Sequence, residues 1–565
     1  MDSTTVSDIG SREGADALNN VISFLEHHRS HQPDRIALQW VAAPGAWRKN
    51  PDAPLRHERL TYGELAARVD AAAAGLQELG LSFGDCVFIF VPMSPELYVA
   101  MFAVQRLGAI AVFLDSWARR DQLGACARQV EPKGFIGPEP AFALTAGVPE
   151  LERAALRVVV GPHGGKYRAT LGGLAASGGH SALAPVEQEH TALVTFTTGS
   201  SGPPKGANRT HRFLAAQHRA LDRCLPYTEG DVDLPVFPIF SLNNIAGGVS
   251  TVLPAVDLAE PDPRDGELVA AQIRATGATC CTLSPSLLRG LAAAAVRRGA
   301  GLRGLRRVAA GGAPISTDDI AALKTAVPDA ELHILYGSTE VEPIAHLAAG
   351  EMPAPSEQAE GVCVGTIAEG LEYRFLRLSR GPIKLGRKSW SEWEVRVGEF
   401  GELAVSGEHV CRDYYRNPDA FRAAKIVDGQ GRVWHRTGDV CRLDQGGRLW
   451  VAGRVHNAIC RAGRTLLPVT PEIVMKRLPF VEGAAYLGLP DEKLGERAVA
   501  AFSVKPGGAP ADCVAKVRGA LAAANVVIDQ VVQVAAIPLD PRHHSKVEYT
   551  TLREQILAGR FGGHI

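Results

Sequence analysis

Between Val87 and Leu114 the chain reads strand, helix, strand, and recurrence of this unit constrains the fold more than any other feature. Val87-Phe88-Ile89-Phe90-Val91 is an unbroken apolar run with the length of a buried strand. Ser94 is placed to cap a helix that has Pro95 at its first position and Glu96 in its first turn. Gly108 ends that helix, and Ile110-Ala111-Val112-Phe113-Leu114 is the next strand. Helical segments (64–79, 268–276) and short apolar strands (158–160) alternate to about residue 345. Such alternation predicts α/β layers with parallel strands.

From about residue 361 the texture changes. Gly, Glu and β-branched residues dominate, as in Gly401-Glu402-Leu403-Ala404-Val405-Ser406-Gly407, which predicts a more antiparallel, barrel-like β segment. Gly-rich stretches at 161–165 and 172–179 read as surface loops. A turn signal at 444–447 divides the chain into a large N-terminal part, 1–443, and a small α+β domain, 444–565, with helices expected over 471–477 and 511–525. With 565 residues the chain is too long for one core.

Composition excludes several classes. A formal net charge of -1 gives no basic surface for nucleic acid or an anionic membrane. Pro92, Glu96 and Arg106 interrupt the most apolar region, so no membrane span is expected. The first 15 residues carry Asp2, Asp8 and Glu13 and lack the apolar core of a signal peptide. The ten cysteines form no C-x-x-C pair, which fits reduced thiols and a cytoplasmic location.

The densest chemistry lies at Thr197-Thr198-Gly199-Ser200-Ser201-Gly202-Pro203-Pro204-Lys205-Gly206, after the apolar strand Ala192-Leu193-Val194-Thr195-Phe196. Small hydroxyl residues and glycines let backbone N–H groups turn toward an anion, and Lys205 adds charge. The spacing is not that of the Walker loop. Taken alone, such a loop reads as an ordinary turn. Its order resembles the signature loop of the AMP-forming adenylating enzymes: acyl-CoA synthetases, peptide-synthetase adenylation domains and luciferases.

Five further segments match that family in the family's order. The resemblance implies that Gly312, Ala313 and Pro314, in Ala310-Gly311-Gly312-Ala313-Pro314, lie beside adenine. In Tyr336-Gly337-Ser338-Thr339-Glu340 it implies that Tyr336 stacks on adenine next to Gly337, that Thr339 contacts phosphate and that Glu340 helps hold Mg²⁺. One carboxylate plus substrate phosphates is a usual Mg²⁺ arrangement. Asp439, in Thr437-Gly438-Asp439, is the expected ribose ligand, and Arg454 is expected near the ribose and α-phosphate. Asn457 stands where the family has Asp, and Ile459-Cys460-Arg461-Ala462-Gly463 lacks the family's lysine. Lys546 closes a shortened Asp540-to-Lys546 motif at the place of the adenylation lysine. There it would bridge carboxylate and α-phosphate oxygens. In the family the small domain rotates between two half-reactions; Asp444 is the candidate hinge, or else an Asp in a tight turn. Catalytic roles thus fall to Lys546, Glu340 and Thr339.

The acid pocket is expected around Phe240, Ser241 and Asn243. No carboxylate is offered there to an ammonium, so an amino-acid substrate is disfavoured and an apolar acid is expected. The main expectation is an acyl-CoA ligase using ATP, Mg²⁺ and CoA on a fatty or related small-molecule carboxylic acid. The run Asp233 to Phe240 and the shortened C-terminal motif resemble a subgroup that includes the β-lactone synthetases of olefin biosynthesis. These close an adenylated β-hydroxy acid on its own hydroxyl, which leaves a CoA-free second step and a downstream pathway enzyme open as alternatives. A nucleotide-binding protein without turnover is the outlying class.

Overall fold

The structure, a computed structural model, describes residues 19–42, 44–51, 53–114, 120–165, 167, 169–197, 204–257, 262–298, 301–353, 361–386, 389–508, 510–539, 546–559 and 563–564. Its architecture is mixed α/β, as expected. The unit that opened the sequence reading is present: strand Cys86–Ile89, helix Pro95–Arg106 and strand Ile110–Phe113, the two strands pairing in parallel. Ser94 occupies the cap position in an extended conformation but makes no side-chain cap bond, so Pro95 and the extended backbone start this helix. The stretch expected as a loop at 172–179 begins instead with a short helix, Leu171–Ala175, capped by the Thr170 hydroxyl on the Gly173 N–H.

Three sheets organise the described residues. One sheet has the order Ala169–Thr170, Leu156–Val160, Gly134–Pro138, Cys86–Ile89, Ile110–Phe113, Thr191–Thr197, Lys205–Thr210. Every pair in it is parallel except the last, an antiparallel hairpin. A larger sheet of 14 strands contains a parallel block that includes Val232–Pro235, Cys280–Leu283, Arg307–Gly311 and Glu331–Ser338. It turns antiparallel at Val341–Ala348 and continues so through Val362–Ile367, Leu449–Arg454 and Val433–Leu443. The two sheets share a core in which helices Tyr62–Glu78 and Pro95–Arg106 lie against Leu38 and Leu60 of one and Val87 and Ile89 of the other. Each fully buried Val, Leu or Ile there contributes roughly 1.5–3 kcal/mol.

The third, six-stranded sheet belongs to the C-terminal part. A long hairpin, Val481–Asp491 with Gly495–Val504, is flanked by Ile459–Arg461 and Gln530–Gln533 and backed by helix Cys513–Ala523. The boundary expected at 443/444 falls on the turn of a hairpin inside the large sheet. Leu449–Arg454 still pairs with that sheet, and the first strand of the small sheet is Ile459–Arg461. The change of sheet therefore occurs across 455–458, a single short 3-10 turn, Val455–Asn457. Asp444 is a turn residue. Its carboxylate accepts from the Gly446 and Arg448 N–H groups at 2.9 Å each, from Arg448 Nε at 2.7 Å and from Trp450 Nε1 at 2.9 Å.

Candidate active site

Several of the expected site residues lie on strands of the two large sheets or in the turns that follow them. Thr197 pairs with Lys205 across the hairpin that closes the smaller sheet, so the signature loop links two antiparallel strands. Thr198, Gly199, Ser200, Ser201 and Gly202 lie outside the described residues; Lys205, half-buried, opens the second strand.

In the larger sheet, strand Arg307–Gly311 ends at Gly312, whose φ of +89° favours a residue without Cβ. The parallel register Gly311↔Leu335 sets Gly312 beside Tyr336 on the neighbouring strand. Gly312 and Pro314 are exposed and Ala313 is half-buried, leaving an accessible edge against which a flat group can lie. Strand Glu331–Ser338 then reverses into Val341–Ala348, and Thr339 and Glu340 form the turn. Glu340 therefore tops a β-hairpin. At Gly337 a Cβ would come within 3.1 Å of the Val341 carbonyl oxygen, so glycine eases the tight reversal.

Two polar clusters result. In the first, Tyr336 donates its hydroxyl to Asp439 Oδ2 at 2.6 Å, and Arg454 Nε pairs with Asp439 Oδ1 at 2.7 Å. Asp439 and Arg454 face each other across the strands Val433–Leu443 and Leu449–Arg454. Burial and the Asp439 charge push the Tyr336 hydroxyl well above its ordinary pKa, so it stays a donor. Asp439 is buried while Arg454 reaches solvent. A carboxylate pinned from both sides in this way presents its remaining lone pairs in a fixed direction.

In the second cluster, Tyr414 donates to Glu340 Oε1 at 2.8 Å. The Cys411 N–H donates to the Glu340 carbonyl at 2.7 Å, and Arg209 donates to the Thr339 carbonyl at 2.8 Å. Behind them the buried Lys425 ammonium donates to the Cys411 carbonyl and lies 5.2 Å from the centre of the Tyr414 ring. Burial alone would raise the Glu340 pKa, but His435, Lys425 and the Tyr414 hydroxyl reverse this and bring it to about 2. Burial holds His435 itself near 3, so it is neutral at physiological pH. Lys425 and Tyr414 are then what keep Glu340 ionised. The segment carrying Cys411 and Tyr414 is also tied to the strand after the signature loop: Tyr415 N–H donates to Gly206 O at 2.8 Å and Asn208 N–H to Asp413 O at 3.1 Å. It thus braces the loop strand against the Glu340 hairpin.

Sequence reasoning did not find Tyr414, Arg209, Lys425 or His435. They reach the Thr339–Glu340 turn from segments far away in the chain, Tyr414 from an irregular stretch and the others from strands, and no local spacing marks them. Among the described residues no group of three or more His, Cys, Asp or Glu could hold a metal ion alone. A single ionised carboxylate fits an ion whose other ligands come from phosphates and water.

The accessible edge at Gly312 to Pro314 follows a strand of the same sheet that carries the anchored Asp439 carboxylate, and Tyr336 joins the two. The family model of the AMP-binding enzyme matches residues 25–415. The chain belongs to the AMP-binding enzyme family. It is 34% identical over 481 residues to an olefin β-lactone synthetase of Stenotrophomonas maltophilia, covering 83% of this chain and 85% of that protein. It is 31% identical over 554 residues to an olefin β-lactone synthetase of Xanthomonas campestris pv. campestris, covering 94% and 96%. Its fold matches that of ATP-bound MatB from Rhodopseudomonas palustris with a TM-score of 0.78 at 21% identity, covering 95% of this chain and 99% of that one. The chain is accordingly an ATP-dependent adenylating ligase acting on a small-molecule carboxylic acid.

The remaining motif residues of this AMP-binding enzyme lie apart from the two clusters' hydrogen bonds. Helix Pro238–Ala246 carries the expected acid-pocket residues. Phe240 is buried against Ala309 and Leu335, Ser241 is fully buried, and Asn243 Oδ1 accepts from His218 at 2.8 Å. In the segment that lacks the family's lysine, Cys460 is exposed and Arg461 is committed to Asp529 at 2.6 Å. Lys546 is exposed on the small C-terminal unit, beside the Leu539–Val547 bridge; residues 540–545 of its motif lie outside the described residues. Among the described residues no helix is long and apolar enough to cross a membrane.

Proposed function

We infer that this AMP-binding enzyme adenylates a β-hydroxy acid and closes it to a β-lactone without CoA. The observation that carries this reading is similarity along most of the chain, at 34% and 31% identity, to two olefin β-lactone synthetases. In the first half-reaction a carboxylate oxygen attacks the α-phosphorus of ATP and the bond to pyrophosphate breaks. In the second the acid's own hydroxyl attacks the acyl carbonyl, loses its proton, and AMP leaves.

The two polar clusters and the family's motif order support the following roles. Asp439 receives the ribose diol, held in place by Tyr336 and Arg454. The edge at Gly312, Ala313 and Pro314 receives adenine, with the Tyr336 ring against it and Gly337 giving the turn room. Thr339, Lys205 and the loop 197–202 receive phosphates. Glu340 holds Mg²⁺, which offsets phosphate charge when bound, and Lys546 stabilises charge on the reacting oxygens. The small unit swings about 455–458 to bring Lys546 in.

Formation of an acyl-CoA uses the same first half-reaction, so one experiment separates the two. Purified enzyme receives Mg-ATP and a pool of fatty and β-hydroxy fatty acids with and without CoA, and the products are read by mass spectrometry. A dehydrated, CoA-independent product with release of AMP is expected. A thioester appearing only with CoA overturns the lactone reading and makes the enzyme an acyl-CoA ligase.

A further inference from the structure

Four helices enclose a cavity of about 60 Å³ on the side of helix Pro238–Ala246 that carries Leu242 and Asn243. Its walls also come from Phe24 of helix Ser23–His31, Phe102 of helix Pro95–Arg106, and Leu214 and Leu221 of helix His211–Cys224. The lining is mainly apolar, with Gln105, Gln217, His218 and Asn243 as its polar members; Gln105 Nε2 donates to the Ala192 carbonyl and Asn243 Oδ1 accepts from His218. The Gln217 side chain, in a residue only 1% exposed, lines the cavity with both its Oε1 and Nε2 lacking any partner among the described residues. Ser241 Oγ and Tyr98 OH, on two of the same four helices, are also fully buried but face each other as hydrogen-bond partners, which leaves the Gln217 amide as the unmatched group.

Leaving a buried amide unmatched costs free energy, so such a group signals a partner that arrives from outside. Ordered water is one candidate, but Gln105 Nε2, His218 Nδ1 and Asn243 Oδ1 are already engaged by protein groups, which leaves water few of the polar contacts it needs. The cavity shares a wall with the site. Leu221 and Ile239 line it and also pack with Phe240, Ala309 and Leu335. Ala309 and Leu335 belong to the strands that end at Gly311 and continue through Tyr336. A chain entering from the acid pocket would therefore meet Gln217. The two orphan atoms fix the partner's chemistry. A carbonyl satisfies Nε2 alone, whereas a hydroxyl accepts from Nε2 and donates to Oε1.

We propose that this cavity seats the hydrocarbon chain of the acid and that Gln217 selects chains bearing a hydroxyl group. The assignment deepens the adenylating reading and rests on it for the identity of the acid, but its test does not require turnover. Binding of straight-chain fatty acids, with and without a chain hydroxyl, is measured by titration calorimetry on wild type, Gln217→Leu and Leu242→Trp, without ATP. The wild type is expected to prefer the hydroxylated acid by roughly 10-fold or more, the worth of a buried hydrogen-bonded pair. Gln217→Leu is expected to lose that preference while still binding the unsubstituted acid. Leu242→Trp, by filling the cavity, is expected to shorten the chain accepted.

An unchanged preference in Gln217→Leu, or an unchanged chain-length profile in Leu242→Trp, overturns the proposal, and the former leaves water as the amide's partner. Should Gln217→Leu fail to fold, Gln217→Met is read in the same way. Pyrophosphate exchange on the same wild-type preparation reports separately on adenylation, so loss of exchange with intact hydroxyl selectivity counts against the adenylating role and not against the cavity.

Discussion

At the scale of single residues, the site is a problem of holding charge still. In its proposed role Glu340 serves a cation only if ionised and fixed, and the Tyr414 hydroxyl and the Lys425 charge favour both. Tyr414→Phe removes the hydrogen bond to Glu340 Oε1 while keeping the ring over Lys425. Losing a charge-assisted bond of this kind should lower kcat/KM for adenylation by roughly 10-fold, with an unchanged unfolding transition. Wild-type kinetics in that variant would remove Tyr414 from the site. Two residues further on, Glu342 behaves in the opposite way. Burial pushes its carboxyl up to about 7, against the opposing pull of Arg209. A carboxyl whose folded pKa is raised favours the fold at pH below its unfolded value, and that contribution is lost as pH rises through 7. Glu342→Gln should therefore raise Tm relative to wild type at pH 8 and change it little at pH 5. Equal shifts at both pH values would show that Glu342 does not titrate in this window.

At the scale of elements, local chemistry decides what could be read from the sequence. Thr61-Tyr62-Gly63-Glu64 opens helix Tyr62–Glu78 with a capping box, a signal held within four residues: Thr61 Oγ1 accepts from the Glu64 N–H at 3.2 Å and Glu64 returns a bond to the Thr61 N–H at 2.8 Å. The strand–helix–strand at 86–113 was equally legible because its signals are adjacent in the chain. The braces on Glu340 were not, since Tyr414 is 74 residues from its partner and no periodicity connects them. Asp444 lies between these cases. A turn and a hinge give the same local sequence, and only the bonds to Gly446, Arg448 and Trp450 reveal a hairpin clamp. Asp444→Ala should cost about 1.5–3 kcal/mol of stability through loss of charged hydrogen bonds, while leaving the ratio of the two half-reactions intact. A variant of normal stability that fails only in the second half-reaction would restore the hinge reading.

At the scale of the whole molecule, the chemistry is split between two bodies of chain. The proposed ribose and metal ligands, Asp439 and Glu340, belong to the large sheet and its hairpin turn, whereas Lys546 belongs to the small unit, joined by the 3-10 turn Val455–Asn457. That unit is held against the large part by contacts of different strength. Val469 and Ile473 pack on the apolar cluster around Val341, Leu403 and Leu449. Arg380 donates to the Ala458 carbonyl at 2.9 Å and faces Glu496 at 3.7 Å, an exposed ion pair worth little. An apolar contact without matched charges can be remade in a second orientation, and the proposed swing requires this. The split predicts a divided phenotype. Lys546→Ala should abolish ATP–pyrophosphate exchange, because the lysine is proposed to act on the charge that builds between carboxylate and α-phosphate. The same variant, given a synthetic acyl-adenylate of a β-hydroxy acid, should still release AMP and the cyclic product, since ring closure uses the substrate's own hydroxyl. Its unfolding transition should not move, because Lys546 is exposed. Normal exchange in the variant would remove the lysine from the first half-reaction; loss of both half-reactions would mean that one arrangement of the two bodies serves the entire cycle.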